Sequence, residues 1–354
     1  MKFWQGKKIL VTGHTGFKGS WLSLWLQSLG AELIGFSLAP PTQPNLFEIA
    51  QLSKGMTSIL GDIRDFQLVQ TILRKYRPEI IIHMAAQSLV RYSYQEPLET
   101  YTTNIMGTVN LLEGVRLTDS VKAIINVTSD KCYENKELKR GYCEEDSLGG
   151  HDPYSNSKAC SELITQTYRN VYFKDQKIGV ATARAGNVIG GGDWAENRLV
   201  PDILKACIKQ ENIVLRYPDA LRPWQHVLEP LCAYLTLAKQ LFESPSFYTQ
   251  AWNFGPNEEQ DRTVSWLTDT IIKYWGSEIK WVQNSSQHEC ETNLLRLNST
   301  KANIVLGWKP QWNIETALAK TVAWYKSYLK KENMQEITLA QIFEFQKNQF
   351  SFLL

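Results

Sequence analysis

Three glycines set three residues apart, in Val11-Thr12-Gly13-His14-Thr15-Gly16-Phe17-Lys18-Gly19, limit what this chain can fold into more than any other segment. An apolar run, Ile9-Leu10-Val11, leads into them, and a longer apolar segment from Phe17 to Leu29 follows. A strand, a glycine turn and a helix in this order predict the start of a parallel sheet built to hold a dinucleotide. Glycine permits the tight turn, lets backbone N–H groups approach a pyrophosphate, and lets the helix pack close to the strand. The positive end of the helix then faces the phosphates. The triplet alone would fit a plain loop; its flanks carry the prediction.

The pattern that follows repeats the unit. Glu32–Phe36 reads as a second strand, followed by a loop with Pro40, Pro41 and Pro44, and a short run ends at Leu60-Gly61-Asp62. Phe66, Val69, Ile72, Leu73 and Tyr76 fall at helical spacing. Ile80–Ala86 is apolar on both faces, like a buried parallel strand. Residues 98–116 and 154–173 read as helices, and 123–128 and 178–183 as strands. Strands alternating with helices predict an α/β fold with a doubly wound parallel sheet of Rossmann type. Past residue 184 the pattern changes to a Gly190-Gly191-Gly192-Asp193-Trp194 turn, helices over 199–210, 227–242 and 263–275, and short strand-like pieces. The expected organisation is a dinucleotide-binding domain over 1–184, an interleaved smaller α/β substrate region over 185–330, and a peripheral tail over 331–354. No Ser/Gly-rich linker separates the first two, so a cleft between them is the expected ligand site.

The bulk composition excludes several partners. With 43% hydrophobic residues, 21% charged residues and a net charge of +2, nothing points to nucleic acid or an anionic surface. No apolar stretch reaches the roughly 20 residues of a membrane span, and Met1–Gly6 has no apolar signal core. Six scattered cysteines (132, 143, 160, 207, 232, 290) form no C-x-x-C pair. They read as reduced thiols of a cytoplasmic protein. The histidines (14, 83, 151, 226, 288) show no ligand spacing, so no metal is expected.

Of fifteen tyrosines, only Tyr154 has a lysine four residues on, Lys158. On a helix the two share a face, and an ammonium beside a phenol favours the phenolate. One strand earlier, Ser129 stands at a carboxyl end where its hydroxyl could meet a substrate alcohol.

This ordering resembles the extended short-chain dehydrogenase/reductase family over nearly all of residues 5–328, and more narrowly its nucleotide-sugar 4,6-dehydratases. The narrower match rests on Gly13–Leu22, on His83-Met84-Ala85-Ala86-Gln87-Ser88-Leu89-Val90-Arg91, and on the Asp130-Lys131 pair after Ser129. Relatives that use dTDP-glucose carry Asp-Glu at that pair; the Asp-Lys form is similar to members that use CDP-glucose. The resemblance implies an internal redox cycle through NAD. Tyr154 takes the 4-OH proton as hydride leaves C4, water departs from C6, and hydride returns to C6. Asp130 is the implied acid, protonated in a desolvated cleft. Lys131 is either the C5 base, if its surroundings favour the neutral amine, or an electrostatic support for the enolate.

The resemblance also implies cofactor contacts at Gly13, Gly16, Phe17, Lys18, Gly19, Asp62, Ile63, Ala85, Ala86, Thr103, Tyr154 and Lys158. The second strand ends Gly35-Phe36-Ser37-Leu38, without the acidic residue that commonly holds the adenosine ribose. Candidate substrate contacts are Gln87, Ser88, Ser129, Asn187, Arg198, Arg216, Arg222 and Asn253, with Arg222 as a bidentate diphosphate clamp. Helices 98–116 and 154–173 are candidates for the face of a homodimer or homotetramer. Two other readings use the same residues. A 4-epimerase would return hydride to C4 without needing Asp130-Lys131, and a silent NAD-binding scaffold would need neither Tyr154 nor Lys158.

Overall fold

The computed structural model describes residues 3–257, 261–283 and 295–347. His288, Cys290 and residues 348–354 of the tail lie outside the described residues.

Seven parallel strands form the central sheet. Six are β1 (Lys8–Thr12), β2 (Glu32–Ser37), β3 (Thr57–Leu60), β4 (Ile80–His83), β5 (Ala123–Val127) and β6 (Gly179–Ala185), and the seventh is Ala251–Phe254. The spatial order is β3-β2-β1-β4-β5-β6, then Ala251–Phe254. Every residue of β4, β5 and β6 is buried, as expected where helices cover both faces of a parallel sheet. The order reverses beside β1, which pairs with β2 on one side and β4 on the other. Ligands of such sheets bind in the crevice at the strands' carboxyl ends, where the order reverses.

The apolar run expected to continue to Ala86 leaves the sheet at His83. There the Thr12 hydroxyl accepts the N–H groups of Met84 and Ala85, both at 3.1 Å, and turns the chain across the end of β1. Helix α1 (Phe17–Ser28) is buried continuously from Gly19 to Leu26, because it lies between the sheet and the helix Met334–Lys347. The helix expected over 98–116 runs as Pro97–Tyr101, a π turn at Thr102–Met106, and Gly107–Arg116. That over 154–173 runs as Pro153–Tyr168 and a second π turn at Arg169–Phe173. Apolar spacing does not distinguish a π turn from an α turn, so neither was visible in sequence. Asp152 caps the second helix by accepting the Ser155 N–H at 2.9 Å, and Pro153 occupies its first turn.

The stretch after residue 185 supplies the seventh strand and three two-stranded pairings. Val188–Ile189 pairs with Gln225–His226, Leu221–Arg222 with Arg262–Thr263, and Ile213–Leu215 with Trp281–Gln283. The two stretches therefore share one sheet.

The described part of the tail, Met334–Lys347, packs into the core. Helices Ile314–Leu329 and Met334–Lys347 bury Trp324, Tyr325, Met334, Ile342 and Phe345 in the same core as α1. Phe345 makes edge-on contacts with Trp25 and Trp312, at centroid separations of 6.0 and 5.1 Å. The Trp324 indole N–H donates to Thr338 Oγ1 at 2.9 Å. Of the tail's described aromatics, Phe345 faces inward and Phe343 stays exposed.

Candidate active site

The three glycines differ in what requires them. Gly13 has a φ of +76°, and a Cβ there would lie 2.8 Å from the Ala85 nitrogen. A Cβ on Gly19 would overlap the Gly13 carbonyl. At Gly16 a Cβ would meet only the Gly13 oxygen, at 3.5 Å, so no protein neighbour demands glycine there. The bare backbone of Gly16 opens outward at the N-terminus of α1, which carries neither a side-chain cap nor an acidic residue in its first turn. Unsatisfied N–H groups beside an uncluttered glycine fit a pyrophosphate.

After β3, Asp62 is gripped by the Arg64 guanidinium, whose Nε lies 2.9 and 3.0 Å from its two oxygens. The hydrogen bonds from Arg64 hold this carboxyl below its ordinary range. Asn110 Nδ2 fixes the chain beside it through the carbonyls of Ile63 (3.1 Å) and Arg64 (2.8 Å). Where a ribose-binding carboxylate would stand, Thr15 Oγ1 bonds instead to Ser37 Oγ (2.7 Å) and the Leu38 carbonyl (2.9 Å). Ala85 and Ala86 follow β4, and Thr103 lies in the first π turn. The Lys18 side chain points inward. Its Nζ donates to the Tyr234 hydroxyl at 3.1 Å, and burial, with the charges of Lys158 and Arg198, pushes it down to about 7.

At the carboxyl end of β5, Ser129 opens a short 3-10 turn, Asp130–Cys132. Ser129 Oγ donates to Asp130 Oδ1 at 2.9 Å and accepts the Lys131 N–H at 3.2 Å. Asp130 is buried and pushed up by desolvation, against the downward pull of Lys131, Ser129 and Arg222. Gly186 makes room for it, since a Cβ there would lie 2.9 Å from Asp130 Oδ2. A raised carboxyl is what a proton donor at neutral pH requires.

Tyr154 corrects the sequence expectation. Burial pushes the phenol up to about 12, with the Ser129 hydrogen bond and Arg198 pulling the other way. Lys158 Nζ donates to the Val127 carbonyl at 3.2 Å, and burial lowers it to about 8 against the attraction of Glu162. The pair shares a helix face as expected, yet at Tyr154 desolvation outweighs the pull of Ser129 and Arg198.

The candidate substrate residues divide. Arg198 is brought to the catalytic end, where it binds Asp193 (3.0 Å) and Ser88 Oγ (3.0 Å). Arg91 reaches Asn197 Oδ1 at 3.2 Å, so the segment after β4 meets the start of the helix Leu199–Lys209 at two points. Arg222 faces Asp130 closely enough to favour its ionised form. Asn187 is half-buried, and its carbonyl accepts the Gln225 N–H at 3.0 Å. Arg216 lies near Asp202 on the helix Leu199–Lys209.

Two candidates are committed elsewhere. The Gln87 amide folds back on Leu89 and donates to Thr100 Oγ1 at 2.8 Å. Asn253 is fully buried, bonded to the Tyr133 hydroxyl (2.9 Å) and the Tyr142 carbonyl (2.8 Å). Both amides are bonded within the protein. Sequence reasoning passed over Asn104, whose side chain spans the N–H and C=O of Gln87 and reaches Ser157 Oγ at 2.9 Å. It also passed over Arg262, which only strand register sets opposite Arg222.

A nucleotide-binding α/β fold with a serine, an acid and a Tyr/Lys helix face at the sheet's carboxyl edge defines a short-chain dehydrogenase/reductase-type enzyme. Within that class, the chain belongs to the GDP-mannose 4,6 dehydratase family, whose model matches residues 10–321. It is 48% identical over 337 residues, 94% of each chain, to the CDP-glucose 4,6-dehydratase of Salmonella typhimurium. It is 27% identical to the dTDP-glucose 4,6-dehydratase of Xanthomonas campestris pv. campestris, over 89% of this chain and 92% of that one. Among solved structures, the UDP-glucose 4-epimerase of Thermotoga maritima shares the fold with a TM-score of 0.80 at 23% identity, covering 91% of this chain and 99% of that one. The dTDP-glucose 4,6-dehydratase of Bacillus anthracis, in complex with NAD, gives a TM-score of 0.76 at 24% identity, over 93% and 100%.

Proposed function

We propose that this chain is an NAD-dependent enzyme that converts CDP-glucose to CDP-4-keto-6-deoxyglucose and water, in the making of deoxysugars for polysaccharides such as lipopolysaccharide. The observation that carries the reading is 48% identity along 94% of both chains to a CDP-glucose 4,6-dehydratase. The grouping of Ser129, Asp130, Lys131, Tyr154 and Lys158 at one end of the cleft supports it.

Bound NAD would supply a hydride acceptor at C4 and return the hydride at C6. The residues that would hold it are Gly13, Gly16, Phe17, Lys18, Gly19, Asp62, Ile63, Ala85, Ala86 and Thr103, with Tyr154 and Lys158 at the nicotinamide ribose. Tyr154 takes the 4-OH proton. With its phenol raised by burial, it depends on Ser129 and Arg198 to reach the phenolate. Asp130 protonates the departing 6-OH, a task that its burial suits. Lys131 removes the C5 proton or steadies the enolate. The variant Lys131→Met separates these roles: loss of solvent deuterium at C5 supports the base, and unchanged exchange removes it. Ser88, Asn187, Arg198, Arg216 and Arg222 bind the sugar nucleotide, the arginines meeting the diphosphate.

We assign the first stretch, 1–184, to the cofactor and 185–330 to the sugar nucleotide. We place the enzyme in the cytoplasm as a homodimer or homotetramer. Leu98, Met106, Leu163, Val171 and Tyr172 stand exposed on the adjacent segments 97–116 and 153–173, which supports pairing there. Among the described residues no helix is long and apolar enough to cross a membrane.

The test is incubation with CDP-glucose, dTDP-glucose, UDP-glucose and GDP-mannose separately, without reductant, read by proton NMR. A C6 methyl signal with CDP-glucose supports the proposal. Inversion at C4 without a methyl would make the protein an epimerase, and silence with all four would favour a non-catalytic role.

A further inference from the structure

Behind the catalytic residues lies a buried charge that the reaction does not use. Glu162 is two turns beyond Tyr154 and one beyond Lys158 on the same helix, so all three share a face. It is only 3% exposed. Its carboxylate accepts four hydrogen bonds, from Thr128 Oγ1, from Thr182 Oγ1 (2.7 Å), and from Arg184 Nε (2.9 Å) and Nη2 (2.8 Å). Arg184 passes the connection to the Tyr133 hydroxyl (2.6 Å) and the Glu144 carbonyl (3.1 Å). Tyr133 in turn donates to Asn253.

Two of these contacts reach the catalytic end. Thr128 immediately precedes Ser129-Asp130-Lys131, and Lys158 hangs from the carbonyl of Val127, one residue further back. The exit of β5 is thus held at Thr128 by Glu162 and at Val127 by Lys158. Two buried charges one helix turn apart and of opposite sign also interact strongly, with little water to screen them.

We propose that Glu162 is a positioning residue for this reaction, fixing the exit of β5 that carries Ser129, Asp130 and Lys131 and acting as the internal counter-charge of Lys158. The inference rests on the proposed dehydratase reading for its kinetic consequences, though not for its electrostatic one. An apolar side chain would fill the same space and serve packing as well, since a buried ion pair adds little net stability over a hydrophobic replacement. The counter-charge has a function that packing lacks. The groups facing Lys158 are Glu162 on its own helix, Cys132 in the turn after β5, Lys18 from α1 and His83 from β4. His83, bonded to Thr12 and Thr108, is neutral at physiological pH because burial pushes it down to about 3. Cys132 is a buried thiol pushed well above its ordinary range, and Lys18 adds repulsion when charged. Glu162, held ionised by Arg184 and the two threonines, is therefore the anionic partner of Lys158 in this set.

The test titrates Lys158 itself. In protein labelled with 13Cε-lysine, its signal is assigned by Lys158→Arg and followed against pH with NAD present. Glu162→Gln is expected to lower the Lys158 midpoint by about one pH unit, and Glu162→Asp to restore most of it. Glu162→Gln leaves Arg184 unpaired and can fail to fold. The neutral pair Glu162→Gln/Arg184→Met avoids that and, since it removes a positive charge as well, is expected to lower the midpoint less, by about half as much. A Lys158 midpoint that does not move in the folded variant overturns the counter-charge. In turnover with CDP-glucose, the alkaline fall of kcat should move down in pH together with the titration, whereas a uniform loss at every pH would mean a structural role alone. Thr128→Val, which removes one donor and no charge, should lower kcat about fivefold with KM kept; an unchanged kcat removes the role at the β5 exit. If the wild-type protein makes no C6 methyl product, the substrate reading fails, while the titration still decides the role of Glu162.

Discussion

The two ends of the cleft are built differently. Tyr154, Lys158 and Glu162 stand on one face of a sixteen-residue helix, against strands buried on both faces. Ser129 and Asp130 leave one of those strands directly. Their polar neighbours are paired inside the protein, as in the Glu162–Arg184–Tyr133–Asn253 chain. Two of the three arginines proposed for the sugar nucleotide sit on or just beyond pieces of two or three residues, Arg222 in Leu221–Arg222 and Arg216 after Ile213–Leu215, while Arg198 stands in the loop that enters the helix Leu199–Lys209. Rigid elements place reacting groups to within fractions of an ångström, which chemistry needs. Short strands and loops place recognition groups more loosely and let them change without disturbing the catalytic end. The same chemistry can thereby be kept while the recognised nucleotide differs among relatives.

The largest effect that could break this contrast is on Tyr154. Tyr154→Phe should lower kcat by about 10³-fold or more, with NAD retained on the purified protein by absorbance and denaturing release. Retained turnover would remove the phenol from the mechanism. Next comes the pair of C-terminal helices, which joins α1 in the core beneath the glycine turn. Phe345→Ala should cost about 3–5 kcal/mol in denaturant unfolding. A loss near zero would return the tail to the periphery.

A smaller effect is expected on the recognition side. Arg222→Met should raise KM for the sugar nucleotide by about 10- to 100-fold, as for a lost hydrogen bond to a charged group. A fall in kcat larger than the change in KM would move Arg222 into the catalytic group, next to Asp130. A last effect, small near neutral pH and growing as the solution is acidified, concerns His226, held between Trp21 and Trp312 and pushed by burial down to about 3. Between that value and the ordinary 6.5, the unfolded chain binds a proton that the native imidazole does not. Stability from this group is thus lost as pH falls through that window, at about 1.4 kcal/mol per unit. His226→Phe should flatten the pH dependence of Tm below 6.5 by that contribution; an unchanged slope would mean that His226 charges in place.

Much of the catalytic end was legible because its signals are local. The glycine spacing, the step from Val127 into Ser129-Asp130-Lys131, and the four-residue gap from Tyr154 to Lys158 each lie within one strand or helix. The strand-helix alternation likewise foretold six of the seven sheet strands. What escaped depends on contacts distant in sequence. Ala251–Phe254 joins the sheet 66 residues after β6 ends, counting from Ala185 to Ala251, and no periodicity announces that pairing. Gln87 and Asn253 read as polar cleft residues, yet their amides are satisfied by Thr100, Tyr133 and Tyr142, partners that only the fold supplies. The raised phenol of Tyr154 escaped for a related reason. Helical spacing predicts which cation shares its face, but not how thoroughly the helix is buried, and here burial dominates.

The central claim is an internal hydride cycle, and CDP-glucose labelled with deuterium at C4 tests it most directly. Incubated in ordinary water without added reductant, the protein should give a 4-keto product whose C6 methyl carries that deuterium, read by NMR and mass spectrometry. A methyl group free of deuterium, or a C4 epimer that keeps its C6 hydroxyl, would contradict the account.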